Sequence, residues 1–220
     1  MTDESPRRTD MRMTKLEVLR ELRAALKAPD RLGDVAVLKG ELAGGGAVRS
    51  ELEARLAAMD GPFPQVDIDF LRTLPPASLG RHYAEFLDQN RLQPFRLTPR
   101  ISQELLARHR FIARYGLVHD VYHVLTGFDA SLAGELGVWA FVAAQRYSWK
   151  HWIAVLVACV VYPLLSPRQI GQHWRCLRRG RAMGQSAEQL ITVPFERLWE
   201  RRVDELRREL RIEPLSVPES

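Results

Sequence analysis

The sequence has little cysteine. Its 220 residues include only Cys159 and Cys176, which lie far apart and form no Cys-x-x-Cys pair. Disulfide frameworks and thiolate metal sites need several cysteines at short spacings, so neither is expected here. Scarce cysteine is typical of a reducing compartment, and we predict a cytoplasmic protein. The first 13 residues, MTDESPRRTDMRM, lack the apolar core of a secretory signal, and we predict a disordered tail.

Alternating strand patterns are also scarce. The best of them covers residues 66–70, and the chain has no internal repeat or low-complexity tract. Hydrophobic residues make up 46% and charged residues 27% of the chain, and one hydrophobic core can serve this length. We therefore predict an all-α fold, a single-domain helical bundle of about six to eight helices over residues 14–216.

Helix-start signals recur along the chain. Thr14 and Ser50 each begin a capping-box pattern, and Ser78 is placed to cap a further helix. Near the other end, residues 194–210 share one apolar stripe and predict a single amphipathic helix.

Two histidines spaced one helical turn apart indicate a candidate site. We predict a helix from Pro99 to Leu125, with Gly127 as its terminator. His119 and His123 lie in its last turns at positions i and i+4, which places two imidazoles within reach of one metal ion.

Two acidic residues complete the pattern. Asp120 lies on the border of the same helix face, three positions before His123. Glu135 lies on the next predicted helix, which Asp129 could cap, at a depth similar to that of His123. A tight antiparallel hairpin would bring His119, Asp120, His123 and Glu135 together as metal ligands.

This donor set suits zinc or another divalent transition metal better than calcium. If all four residues bind, the coordination of zinc is filled. If Asp120 instead orients a histidine or moves a proton, one position stays open for substrate. A chance arrangement is the alternative, because His-x-x-x-His also occurs on exposed helix faces. A protease is disfavoured, since Asp120 is one methylene shorter than the glutamate of His-Glu-x-x-His.

The same residues resemble the hallmark of the ubiquinone (coenzyme Q) biosynthesis protein 4 family, His-Asp-x-x-His followed after eleven residues by Glu. The chain has it as HDVYHVLTGFDASLAGE, with the spacing intact. The segments LPPASLGRHYAEFL and FERLWERRVDELRRELRI are also similar to the family, so the resemblance covers about residues 70–212.

The resemblance implies a peripheral membrane protein, here at the inner face of the cell membrane. It implies a divalent metal, most often zinc, with iron or cobalt as alternatives if the reaction is oxidative. The implied reaction is simple or oxidative decarboxylation of a polyprenylated 4-hydroxybenzoate at C1, with Asp120 and His123 as catalytic residues. The implied partners are this polyprenylated aromatic precursor, other ubiquinone biosynthesis enzymes and a second copy of the chain in a homodimer.

Two segments after the site have unusual surfaces. The apolar run at residues 152–165 is shorter than the ~20 apolar residues that span a bilayer. Its first interpretation is a buried central helix, and its second is a lining that admits a prenyl chain or dips into lipid. Residues 169–180 form a basic amphipathic segment near a helix-breaking Gly180, either a solvated face or a surface for anionic lipid headgroups.

Two other functions stay open. A noncatalytic prenyl-lipid-binding scaffold would organise the ubiquinone biosynthetic complex and would have a closed, structural metal site. A nucleic-acid-binding protein has only a cluster of arginines in its favour. The net charge of +5, from 32 basic and 27 acidic residues, does not require nucleic acid, and we expect no such partner.

Overall fold

The computed structural model describes residues 13–43, 48–59, 61 and 63–214, so the predicted disordered tail lies outside the described residues except for Met13. Within this part of the chain the fold is all-α, as predicted, with no β-strand. The α-helices are α1 Lys15–Ala25, α2 Leu32–Leu42, α3 Ser50–Ala57, α4 Ile68–Thr73, α5 Leu79–Asn90, α6 Gln103–Arg108, α7 Arg110–Thr126, α8 Leu132–Ala144, α9 Lys150–Leu165, α10 Ile170–Ser186 and α11 Val203–Glu209.

The described residues thus contain eleven α-helices, more than the six to eight expected, in part because one long predicted helix is divided. The helix predicted from Pro99 is interrupted at His109, whose backbone is not helical, and α6 and α7 replace it. It also starts later than predicted. The N–H and the hydroxyl of Thr98 donate to the buried carboxylate of Asp34, at 2.9 and 2.7 Å, and Ser102 caps α6 four residues further on.

The single helix predicted over residues 194–210 is also wrong. A 3-10 turn at Phe195–Arg197 precedes α11, and the chain between them is not helical. The first two backbone N–H groups of α5 donate to the carbonyl oxygens of Arg201 and Trp199, both at 2.8 Å. Because these carbonyls bond to another element, they cannot continue a helix of their own.

Two of the three predicted helix starts are confirmed. Thr14 forms a capping box at α1, and Ser78 caps α5 by accepting a hydrogen bond from a backbone N–H at 3.2 Å. The cap predicted at Ser50 is wrong, because Ser50 is already helical and no side chain caps α3. The preceding residue, Arg49, donates its N–H to the carbonyl of Tyr147 at 3.3 Å, a long-range contact that the local sequence does not indicate.

α7 passes through the largest core cluster of the described residues. It packs there against α5, and residues from α8 and the C-terminal segment complete the cluster. A second cluster joins α1 and α2 to α6 and the first half of α7. Fully buried members of the first cluster include Leu79, Tyr83, Leu87, Val118, Val121, Tyr122, Leu125, Phe141, Leu190 and Phe195.

The end of α7 is fixed by a side chain from α11. Arg207 donates to the backbone carbonyls of Val124 and Leu125, at 2.8 and 2.9 Å. Carbonyls in the last helical turn have no partner within the helix, and a guanidinium can satisfy two of them. The C-terminal segment therefore holds the turn of α7 that contains the candidate site.

α8 and α10 pack against each other unusually closely. A Cβ atom on Gly180 would lie 2.0 Å from the carbonyl oxygen of Gly137, and one on Gly184 would lie 2.3 Å from that of Phe141. The expectation that Gly180 breaks a helix is therefore wrong. This glycine lies inside α10 and allows two backbones to approach where no side chain would fit.

α9 is not the buried central helix of the first interpretation. Only Val155 and Ala158 of its 16 residues are buried. Ten of the large hydrophobic residues that the described chain exposes lie on α9, just before it or in the first turns of α10: Trp149, Ile153, Leu156, Val157, Val160, Val161, Leu164, Leu165, Ile170 and Trp174.

No single helix in the described residues has the length and apolarity to cross a membrane. The two consecutive helical segments Lys150–Leu165 and Pro167–Ser186 reach that length and composition together, but the chain bends by 117° between them.

Candidate metal centre

The last turns of α7 present two imidazoles on one face. His119 and His123 lie one turn apart, with ring centroids separated by 5.0 Å. Gly127 ends the helix with a positive φ of 77°, as predicted, and its N–H donates to the His123 carbonyl at 2.9 Å. Glycine suits this left-handed position because it has no Cβ. The helix is thus intact up to the second histidine.

The next helix brings a carboxylate to the same place. The cap predicted at Asp129 is wrong, because Ser131 caps α8 by accepting a hydrogen bond from Gly134 N–H at 3.2 Å. Asp129 instead accepts a hydrogen bond from the Ser131 hydroxyl at 2.6 Å, which shapes the turn between α7 and α8. α8 therefore begins later than expected, and Glu135 lies in its first turn.

Three of the four predicted ligands form one group. Single donor atoms of His119, His123 and Glu135 all lie within 4.8 Å of one another. Glu135 Oε2 is 3.5 Å from His119 Nε2, and Glu135 Oε1 is 3.4 Å from His123 Nε2. The predicted hairpin does bring the two histidines and the glutamate together.

Hydrogen bonds on the far side of each ring set its tautomer. His119 Nδ1 donates to Asp120 Oδ1 at 3.1 Å, and His123 Nδ1 donates to the carbonyl of Phe128 at 3.0 Å. When Nδ1 carries the proton of a neutral imidazole, Nε2 has a free lone pair. In the neutral rings, the lone pairs of His119 Nε2 and His123 Nε2 then point toward Glu135.

The short distances between these side chains shift the pKa values of His119 and Glu135. Burial disfavours a charge on His119, but its contacts with Asp120 and Glu135 outweigh burial and raise its pKa to about 9. Burial likewise disfavours the Glu135 carboxylate, yet the two imidazoles lower its pKa to about 2. The metal-free group is therefore an ion pair between a carboxylate and an imidazolium over most of the pH range.

The group fits a divalent transition metal. His123 is 1% exposed, and its Nε2 is buried without a hydrogen-bond partner in the described residues, so its approach to Glu135 is electrostatic. An unpartnered buried nitrogen is costly, and a metal ion would satisfy it. Two imidazole nitrogens and a carboxylate oxygen are a common zinc ligand set.

Asp120 lies beside this group. Its carboxylate accepts the hydrogen bond from His119 Nδ1. It is not one of the three residues whose donor atoms lie within 4.8 Å of one another. Such a carboxylate orients a histidine ligand and increases its basicity. Of the alternatives that the sequence left open for Asp120, the geometry favours this one.

Two aromatic residues that sequence reasoning missed complete the surroundings. Phe86 of α5 stacks on the ring of His123, with centroids 5.0 Å apart. Tyr115 of α7 meets His119 edge to face at 5.5 Å. Only the i,i+4 spacing of Tyr115 and His119 could have indicated the second contact, whereas the first depends on how α5 packs.

A protein-family model described as "Coenzyme Q (ubiquinone) biosynthesis protein Coq4" matches residues 63–216. The mitochondrial ubiquinone biosynthesis protein COQ4 homolog of Danio rerio is 32% identical over 219 residues, which cover 88% of this chain and 75% of that protein. A mitochondrial ubiquinone biosynthesis protein coq4 of Talaromyces stipitatus is 34% identical over 149 residues, which cover 66% of this chain and 50% of that protein. The chain thus spans between half and three quarters of these two relatives.

A crystal structure described as a ubiquinone biosynthesis protein of Nostoc punctiforme has a similar fold. The TM-score is 0.62, and the match covers 89% of this chain and 95% of the other. The two sequences are 22% identical, so this likeness concerns the fold alone.

Proposed function

This chain belongs to the Coenzyme Q (ubiquinone) biosynthesis protein Coq4 family, and we propose that it removes the C1 carboxylate of a polyprenylated 4-hydroxybenzoate with the help of a divalent metal. The observation that carries the proposal is the group of His119, His123 and Glu135. A Lewis acid there can hold a carboxylate or phenol oxygen of the substrate. Zinc is the proposed metal, and iron or cobalt would suit an oxidative reaction.

The position of Asp120 favours an enzyme over a noncatalytic scaffold. Three protein ligands leave a coordination position open, as in catalytic zinc sites, whereas structural sites have four. Asp120 would close the site as a fourth ligand, but its carboxylate contacts His119 Nδ1 instead. The side chains of His119 and Glu135 are also 24% and 28% exposed to solvent, which gives a substrate access to the group.

The simple version of the proposed reaction needs only a proton besides the substrate, and the oxidative version also needs water and dioxygen. When bound, the metal supplies Lewis-acid chemistry at a substrate oxygen. In simple decarboxylation the bond between C1 and the carboxyl group breaks, carbon dioxide leaves and C1 takes up one proton. We assign the transfer of that proton to the Asp120 carboxylate, which lies beside His119 and would take the proton up from solvent before passing it to C1. In the oxidative version C1 receives a hydroxyl group from water, and dioxygen is reduced to hydrogen peroxide.

Replacement of His123 by alanine tests this assignment. We expect the purified His123→Ala protein to lose both its metal, measured by elemental analysis, and its turnover of a short-chain prenylated 4-hydroxybenzoate. The exposed His82 offers a matched control, because His82→Ala removes an imidazole outside the group. Normal turnover by His123→Ala would contradict the proposal. Assays with and without dioxygen distinguish the two versions of the reaction.

The exposed face of α9 supports action at a membrane surface. Leu156, Val160 and Leu164 are 65%, 62% and 76% exposed, and a contiguous apolar face of this kind marks an interaction site. Burial and, after it, the charge of Glu135 raise the pKa of Tyr162 on the packed side of α9, so α9 passes near the metal centre. A prenyl chain could therefore stay in lipid while its aromatic ring reaches the metal.

Positive charges at the edges of this face favour anionic lipid. Lys150 lies at one end of α9, and the exposed Arg168, Arg175 and Arg178 follow its other end. Apolar residues bordered by basic ones are typical of helices that lie in the headgroup region. The proposed location is the inner face of the cell membrane, in contact with other enzymes of the pathway.

Flotation with vesicles of phosphatidylglycerol and phosphatidylcholine tests the surface. We expect wild type to float with anionic vesicles at low salt, and Leu156→Asp with Leu164→Asp to abolish flotation while turnover of a short-chain substrate remains. Leu16→Asp on α1 is the control, because this leucine is equally exposed, at 70%. If the double variant instead converts a dimer into a monomer in sedimentation and wild type binds no vesicles, the face is a homodimer interface.

A further inference from the structure

The hydroxyl group of Tyr115 has no hydrogen-bond partner within the described residues, although it is buried. Such a group loses its bonds to water and gains nothing in return, so folded proteins leave few of them. Nearby tyrosines differ in this respect. The hydroxyls of Tyr122 and Tyr147 lie 3.4 Å apart, and Tyr147 also donates to the side chain of Gln145 at 3.0 Å.

Tyr115 lies next to the metal centre. Its ring contacts His119 edge to face, and the two residues lie one turn apart on the same side of α7 as His123. Tyr83 has a second unpartnered hydroxyl, but its side chain is fully buried and its ring packs on Trp199 at 5.2 Å. Of these two tyrosines with an unpartnered hydroxyl, Tyr115 is therefore the one whose ring contacts a predicted metal ligand, His119.

Tyr115 contacts the more exposed of the two imidazoles. The His123 side chain is 1% exposed and the His119 side chain is 24% exposed, so His119 offers a ligand the larger accessible surface. The ring of Tyr115 lies against that imidazole. A ligand held at His119 would therefore lie next to the residue that carries the unsatisfied hydroxyl.

We propose that the Tyr115 hydroxyl donates a hydrogen bond to a carboxylate or phenolate oxygen of the ligand held at His119, His123 and Glu135. Tyr115 is then a ligand-binding residue that selects molecules with a second oxygen near the metal. A buried hydroxyl with no acceptor in the protein discriminates strongly between ligands, because a ligand without that oxygen leaves the hydroxyl unsatisfied. This inference rests on the proposed function and deepens it.

Calorimetric titration of the zinc-loaded protein with 4-hydroxybenzoate tests the inference. We expect Tyr115→Phe to weaken binding about tenfold, the usual effect of one lost hydrogen bond, and to leave the zinc content unchanged. Without zinc and ligand, Tyr115→Phe should melt at a temperature equal to or above that of wild type, because an unsatisfied hydroxyl is removed.

Tyr122→Phe is the matched control. It lies on the same helix and loses a hydroxyl that does have a partner, so its melting temperature should fall by about 2–4 °C while its affinity for 4-hydroxybenzoate stays that of wild type. Equal affinities of Tyr115→Phe and wild type would overturn the inference. So would a loss of zinc from Tyr115→Phe, since this tyrosine would then support the ligands rather than bind substrate.

The outcomes separate the inference from the proposed function. If wild type holds zinc and 4-hydroxybenzoate but decarboxylates nothing, the proposed function fails, while a tenfold loss in Tyr115→Phe still supports the inference. If turnover is found and the affinities are equal, the inference alone fails. If wild type binds no zinc, both fail.

Discussion

α8 and α9 follow each other in the chain and are both almost entirely apolar, yet their surroundings are opposite. Ten of the 13 residues of α8 are buried, whereas only two of the 16 residues of α9 are. α8 contacts α7, α9 and α10, while one side of α9 faces away from the protein. Hydrophobicity alone therefore does not predict which of two helices enters the core.

Residue size explains the difference better. α8 contains small residues where it meets α10, and the close approach of Gly137 and Gly180 leaves no space for a third element between them. α9 contains leucine, isoleucine and valine on its exposed side, which fill volume but allow no such approach. The buried helix is built for contact with another helix, and the exposed one is suited to a softer partner such as lipid.

The largest expected difference between the two helices is the stability lost when one leucine in each is truncated to alanine. We expect Leu136→Ala on α8 to lower the free energy of unfolding by about 2–5 kcal/mol, because Leu136 is 1% exposed and its loss leaves a cavity. Leu156→Ala on α9 should change it by less than about 0.5 kcal/mol, since Leu156 is 65% exposed. Urea denaturation measures both, and similar losses would mean that α9 is covered in solution.

A single methyl group between α8 and α10 should have the next largest effect. Gly180→Ala places a Cβ against the carbonyl of Gly137 and should cost about 1–3 kcal/mol of stability. Gly171→Ala lies in the same helix with nothing within 4 Å and should be neutral or stabilise by up to about 1 kcal/mol. Thermal unfolding compares them, and a stable Gly180→Ala would contradict the close packing of the two helices.

The smallest expected effect concerns pH and the one carboxylate of α8. The pKa of His119 rises from 6.5 to about 9, so its stabilisation is complete below pH 6.5 and is lost as pH rises through 9. The pKa of Glu135 falls from 4.5 to about 2, so its stabilisation is present above pH 4.5 and is lost as pH falls through 2. Both contributions are complete only between pH 4.5 and pH 6.5. In that range the pair should raise the free energy of unfolding of the metal-free protein by on the order of 1–2 kcal/mol.

Melting temperatures of the metal-free protein across pH measure this effect. His119→Gln should remove the loss of stability above pH 6.5, because no imidazolium is left to titrate there. Leu156→Ala should keep the full wild-type profile, since Leu156 carries no charge. An unchanged profile in His119→Gln would show that the ion pair contributes nothing to folding.

Local signals predicted the pieces of the site well. The i,i+4 spacing of His119 and His123, the terminator Gly127 and the distance to Glu135 were enough to predict a helical hairpin that brings these three side chains together, while Asp120, the fourth predicted ligand, lies beside them. These features depend on 3.6 residues per turn and on glycine at a positive φ, both of which are properties of short segments. The predicted cap at Asp129 failed by two residues without moving Glu135 out of the group.

Predictions that depended on distant contacts failed. The helix predicted from Pro99 starts only at Gln103, after Thr98 has bonded to Asp34, and the cap expected at Ser50 is absent where Arg49 bonds to the carbonyl of Tyr147. The exposure of α9 belongs to the same class, since its apolar sequence is equally compatible with a core. Such errors arise where a long-range hydrogen bond or a missing neighbour outweighs a local preference.

The sequence by itself determined the helical class, the ends of several helices and the set of residues that can bind a metal. Helix periodicity, caps and terminators act within a few residues, so the chain shows them directly. The tertiary structure decided that Asp120 accepts a hydrogen bond from His119, that Tyr115 keeps an unpartnered hydroxyl and that α9 faces outward. These properties depend on which surfaces meet, and residues far apart in the sequence decide that together.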